Sequence, residues 1–192
     1  MGRRTEILIS PRANFELASR LQESGAPLAE VFSFLSGLYF RGKITYATHF
    51  ARAYRKLPAV WVITSNRGLI PANTVVTAED LRSQGEVPID LKDKRYVEAL
   101  KTSAKDLASK LPSTAEVVLL GSISTDKYVG LLLKIFESRL LFPPDFVGRG
   151  DMSRGGLLLR CAADDQELPY VPLVGAIRHG KRPPKLEPRR WK

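Results

Sequence analysis

The chain has 192 residues, 44% of them apolar and 26% charged, a composition ordinary for a globular protein and long enough to bury a substantial core. With one cysteine, Cys161, it can form neither an intrachain disulfide nor a cysteine-based zinc site. The net charge is +10, no apolar run approaches the roughly 20 residues of a membrane span, and the start "MGRRTEILIS" lacks the apolar stretch of a secretory signal, so a cytoplasmic protein without a membrane partner is expected.

In chain order, "TEILIS" (5–10) reads as a short buried strand and "NFELASRLQESG" (14–25) as a helix stopped at Gly25. "PLAEVFSFLSGLYF" (27–40) is apolar enough to be a helix or a buried irregular segment. "RGKITYATHFARAYRK" (41–56) spaces Ile44, Ala47, Phe50 and Ala51 as one helix face, ending before Pro58. "AVWVIT" (59–64) is rich in β-formers and predicts a strand; "NRGLIPANTVV" (66–76) is a turn-rich connection. Thr77 is placed to cap a short helix, "AEDLRS".

Residues 86–93 read as extended or loop, and "RYVEALKTSAKDLASKL" (95–111) as an amphipathic helix stopped by Pro112. "EVVLLG" (116–121) predicts a buried strand, "STDKYVGLLLKIFESR" (124–139) a helix capped by Ser124 or Thr125, and "LLFP" (140–143) another strand. "FVGRGDMSRGG" (146–156) reads as a flexible charged loop, followed by late strands at "GLLLRCA" (156–162) and "LPYVPLVGA" (168–176). Strands alternating with helices predict an α/β three-layer sandwich, with a largely parallel central sheet and antiparallel C-terminal strands. Residues 1–176 form the expected single domain, and 177–192 a basic, proline-rich tail.

In such sheets ligands bind beyond the carboxyl ends of the strands. On that premise Ser10, Arg12, Ser65, Asn66, Arg67, Ser122, Thr125 and Asp126 would gather at one edge. In "GSISTDK", Gly121 gives a tight strand exit, and Ser122 and Thr125 lie where a helix start favours an anion. Arg67, Arg149 and Arg154 offer planar forks for phosphate. Asp126, Asp145 and Asp151 are the acids placed to position water, and Asn66 is placed to read a base or sugar. The alternatives are structural: a helix cap at Thr125, a turn at Gly68, a mobile loop at 146–156. His49 and His179 are too few and too far apart for a metal site, so no metal and no cofactor is expected. From residue 176 onward, seven lysines and arginines face one acid, Glu187; Arg178, Lys181, Arg182, Lys185, Arg189 and Arg190 form the expected nucleic-acid contact.

The stretch "LYFRGKITYATHFARAYRKLPAVWVITSNRGLIPANTVVT" resembles bacterial α/β proteins of the YaaA-like, peroxide-stress group: an aromatic-rich helix, an apolar strand and a polar "S…GLIP" loop. "EVVLLGSISTDKYVGLLL" is similar to the strand, glycine and helix of uracil-DNA-glycosylase-like folds, without their water-activating Gly-Gln-Asp motif or His-Pro-Ser loop. Both resemblances imply a nucleic-acid or nucleotide context. The expected function is therefore binding of nucleic acid or nucleotide at the sheet edge, with hydrolysis of an N-glycosidic or phosphate-linked substrate as its enzymatic form. The alternative is a non-catalytic RNA- or ribosome-associated protein, or an assembly subunit.

Overall fold

The computed structural model describes residues 2–188 and mixes helices with very short strands. The expected central parallel sheet is replaced by three small sheets. Strand β1 (Ala26–Pro27) pairs antiparallel with β4 (Val75–Val76). Strands β2 (Trp61–Thr64) and β3 (Gly68–Pro71) form a hairpin in register Trp61↔Pro71. In the third sheet β6 (Leu140–Phe142) lies between β5 (Val117–Val118), with which it is parallel, and β7 (Val171–Pro172), with which it is antiparallel. Prolines in β1, β3 and β7 cannot donate to a ladder, which helps to keep these sheets small. Among the described residues there is accordingly no long strand edge on which three loops converge, and no three-layer sandwich.

Helices supply most of the framework. Helix α1 (Arg3–Leu8) occupies the expected first strand: Leu8 is buried while Ile7 is exposed, and the Arg4 guanidinium donates to Phe34 O at 3.2 Å. Helix α2 (Glu16–Glu23) ends close to Gly25, whose φ of +83° reverses the chain. The apolar run after it splits into α3 (Leu28–Ser36) and α4 (Leu38–Phe50) at Gly37. Helix α4 stops at Phe50, well before Pro58. Helix α5 (Ala78–Gly85) starts with the expected Thr77 cap, completed by Asp80: Thr77 N donates to Asp80 Oδ2 at 2.8 Å, and Asp80 N to Thr77 Oγ1 at 3.3 Å. The long α6 (Lys94–Lys110) and α7 (Asp126–Phe136) follow the amphipathic reading.

The largest departure is α8 (Asp151–Ala163), which absorbs the second half of the expected loop and the expected strand "GLLLRCA". Its pairing with α4 is the most extensive between helices among the described residues. The two backbones nearly touch. A Cβ on Gly42 would lie 2.5 Å from Gly155 O, and a Cβ on Gly155 would lie 2.8 Å from Leu38 O. Glycine there serves close packing, not a flexible loop. Leu158 and Cys161 of α8 then bury against Tyr46, Phe146 and Leu168. Burial also raises the Cys161 thiol pKa, as expected of a core thiol.

Two further clusters complete the interior. One joins α6 and α7 to the β5–β6–β7 sheet through Tyr96, Leu100, Val129, Phe136, Leu140 and Phe142. The other packs α1, α2, α3 and α5 around Leu8, Leu21, Val31, Val62 and Leu81.

Candidate functional site

The first turns of α8 lie over α4, and this juxtaposition gathers the polar groups of the site. Helical spacing puts Tyr39 and Lys43 on one face of α4, four residues apart. Arg154 and Asp151 stand three apart on α8. Tyr128, on α7, completes the group: its hydroxyl bonds to the Ser122 backbone, and Gly121 leaves room for it, since a Cβ there would lie 2.6 Å from the hydroxyl oxygen. Tyr39 hydrogen-bonds to the Arg154 side chain and donates to Leu120 O at 3.4 Å. Tyr39 thus links the "GSISTDK" end of the β5 exit to the α8 start, although no parallel sheet puts them there.

Arg154 is the central observation. It is 5% exposed, yet its Nε has no hydrogen-bond partner. The Asp151 carboxylate, itself largely exposed, approaches its Nη1 only to 3.8 Å. The guanidinium lies 5.5 Å from the centroid of the buried Phe146 ring. A buried charge is ordinarily paired and fully hydrogen-bonded, because desolvating it costs several kcal/mol.

The half-buried Lys43 is the second cation. Its Nζ stands 4.1 Å from the Tyr39 ring centroid and 5.2 Å from that of Phe40. Burial pulls its pKa down to about 8; Asp151 opposes that shift and Arg154 reinforces it. Burial likewise raises the pKa values of Tyr39 and Tyr128, so both hydroxyls are proton donors at neutral pH. Two cations and the Tyr128 hydroxyl against one carboxylate make a donor-rich group suited to an anion.

The other sequence candidates are placed as follows. Arg149 is tied to its own segment: its Nε donates to Asp145 O at 3.0 Å and its Nη1 to Ser153 Oγ at 3.2 Å. Asp145 is exposed. Ser122 Oγ lies 3.0 Å from Ser124 Oγ, and Thr125, at the N-cap position of α7, makes no side-chain cap bond. Asp126 pairs with Arg178 at 2.8 Å.

Asn66 and Arg67 lie elsewhere, because β2 turns straight into β3 instead of joining the β5–β6 sheet. Asn66 donates to Ser83 Oγ at 2.9 Å, and Arg67 approaches Asp80 at 3.6 Å. Both residues line an open cleft of about 550 Å³ with Glu98, Thr102 and Asp106 of α6. Asn66 Oδ1 is buried without a partner, but the acids of α6 make that cleft poor for an anion. Another cleft, of about 420 Å³, lies at Leu111 and Arg139; neither cleft is lined by residues of the Arg154 group. Ser10 and Arg12 belong to the turn before α2, where Ser10 O accepts from Gln22 at 2.9 Å.

Of the tail, residues 177–188 are described; Arg189 and Arg190 lie outside the described residues. This segment runs back along the body. Gly180 packs on Val147, Leu186 reaches Gly156 of α8, and Arg160 donates to Glu187 O. Lys181, Arg182 and Lys185 remain exposed and form no ion pair among the described residues. Tyr39, Lys43 and Tyr128 were not singled out from the sequence. The signal present was local: "YFRGK" sets an aromatic and a lysine at i, i+4 around a glycine. No family model, no curated protein and no solved structure matches the chain.

Proposed function

We propose that the protein binds a phosphate-bearing ligand, a nucleic acid or a nucleotide, with Arg154 as its anchor. The observation that carries this reading is the buried Arg154 guanidinium with its Nε unpartnered and its nearest carboxylate oxygen at 3.8 Å. A phosphate oxygen would complete its hydrogen bonding and balance the charge of Lys43. The Tyr128 hydroxyl adds a donor, whereas that of Tyr39 is directed at Leu120 O. The net charge of +10 and the exposed Lys181, Arg182 and Lys185 favour a polyanion over a lone small ligand. The sequence resemblances point the same way. In an enzymatic form of this reading Asp151, exposed beside Arg154, is the acid that orients water on an N-glycosidic or phosphate-linked substrate.

A second reading takes the docked tail as the main contact of a non-catalytic RNA-binding protein; the exposed, unpaired Lys181, Arg182 and Lys185 favour it. One experiment separates the two. Fluorescence anisotropy with a labelled oligonucleotide and a labelled mononucleotide is measured across a salt series for wild type, Arg154→Met and the triple variant Lys181→Ala, Arg182→Ala, Lys185→Ala. The Arg154 reading expects Arg154→Met to weaken both ligands at least tenfold while near-UV circular dichroism stays native. It expects the triple variant to weaken only the oligonucleotide and to flatten its salt dependence. Wild-type affinity for both ligands in a folded Arg154→Met protein overturns it.

A further inference from the structure

Lys43 is held differently from the paired lysines of α6. Lys101 and Lys110 each pair with an acid one helical turn away, Glu98 and Asp106. Lys43 forms no such pair among the described residues. Its amine lies over the Tyr39 and Phe40 rings, near a buried guanidinium. Apolar walls and a neighbouring cation are the conditions that make a lysine amine nucleophilic near neutral pH. With its pKa lowered to about 8, the unprotonated fraction at pH 8 is on the order of a hundredfold greater than for an ordinary lysine. An amine needed only to hold phosphate gains nothing from discharge, since the ammonium is the better anion ligand.

We propose that Lys43 is an imine-forming residue: its Nζ condenses with the aldehyde or ketone carbon of a substrate whose phosphate rests on Arg154. The inference depends on the phosphate site proposed above. The unprotonated Nζ attacks the carbonyl carbon, and the C=O π pair moves to oxygen, which takes up a proton. Asp151, open to solvent beside both cations, accepts the proton that Nζ loses. It returns that proton to the hydroxyl of the carbinolamine, which leaves as water while the nitrogen lone pair closes the C=N bond. One amine, one carbonyl and the solvent proton taken up by oxygen give one protonated imine and one water, with no redox partner. A free sugar phosphate in its open-chain form and the ring-opened sugar at a base-free position of a nucleic acid carry the same chemistry.

Borohydride trapping tests the proposal. The full chain is incubated at pH 8 with pyridoxal 5′-phosphate or with pyridoxal, reduced with sodium borohydride and mapped by peptide mass spectrometry. The expected result is a reduced adduct concentrated on Lys43, at least tenfold more with the phosphorylated probe, with that preference lost in Arg154→Met. Parallel trapping with glyceraldehyde 3-phosphate and with an oligonucleotide bearing one base-free sugar tells which source reacts. Adducts spread over exposed lysines such as Lys110 and Lys185, or equal labelling by the two pyridoxal probes, overturn the proposal. If Lys43 stays unlabelled while mononucleotide binding still requires Arg154, the imine falls and the phosphate site stands. If binding does not require Arg154 either, both fall.

Discussion

The segments around Arg154 and Arg67 look alike as sequence, each an arginine beside glycine in a polar stretch, and they end in opposite physical states. At 146–156 glycine lets two helices meet backbone to backbone, and the arginine is carried inside with its hydrogen bonding incomplete. At 65–68 Gly68 lets a hairpin lie on α6, where a Cβ would collide with Ala99 O and Ser103 Oγ, and the arginine stays at the surface near Asp80. Glycine served close approach in both places, so the residue type alone did not mark a site. What separates them is the depth at which the neighbouring charge is left.

The sharpest way to break this comparison is to separate the two backbones. Gly155→Val places methyl groups against Leu38 O and Tyr39 Cα, which are backbone atoms that cannot swing aside. A loss of about 3 kcal/mol in urea unfolding is expected, with disruption of the α4–α8 junction. A variant as stable as wild type would show that the helices do not need this contact.

A smaller effect tests the charge left at depth. The Lys43 pKa of about 8 in the folded protein lies below the ordinary 10.5, so between those pH values the unfolded chain holds more protons at this site. The Lys43 contribution therefore opposes folding below about pH 8 and fades as pH rises to 10.5. Lys43→Met should remove that upward component from the stability–pH profile measured by urea titration. Identical slopes in the two proteins would mean that the amine is not discharged by burial.

The smallest effect is expected at the surface arginine. Arg67 and Asp80 are each partly exposed and 3.6 Å apart, a geometry that contributes little in water. Arg67→Ala should change stability by less than about 0.5 kcal/mol and leave oligonucleotide binding unchanged. A large loss of affinity would move the site to the α6 cleft and reverse the comparison.

The parts of the fold legible in the sequence are those where local signals and packing agree. Helix α6 carries a clean apolar face, α5 its Thr77–Asp80 cap, and β2 a run of β-forming residues. Helix α8 was hidden because Gly155 and Gly156 each lower helix propensity by about 1 kcal/mol, and the apolar "LLL" run that follows fits strand or helix equally well. Packing against Gly42 decided the matter, and nothing near residue 155 announces a partner 113 residues earlier in the chain. The same gap explains the site. Arg154 and Asp151 were visible as a charged pair, whereas Lys43 and Tyr39 acquire meaning only once α4 lies against α8. Arg67 and Asn66 sit apart from the site because β2 closes on β3 instead of entering a parallel sheet.

The clasp at the far end of α4 bears on how the chain is made. Tyr46 receives the Leu168 amide at 2.7 Å and lies 2.7 Å from the Tyr170 hydroxyl, while His49 reaches Asp165 at 2.7 Å. Each of these bonds joins residues more than 110 positions apart. On the ribosome α4 emerges long before the segment that covers it, so its glycine-notched face and Tyr46 wait uncovered while over a hundred further residues are added. Closing so long a loop is slow and comes late in folding. Because Arg154 and Lys43 meet only when α8 docks, the proposed anion site waits for that docking, and a chain cut short before α8 would leave the ribosome without it.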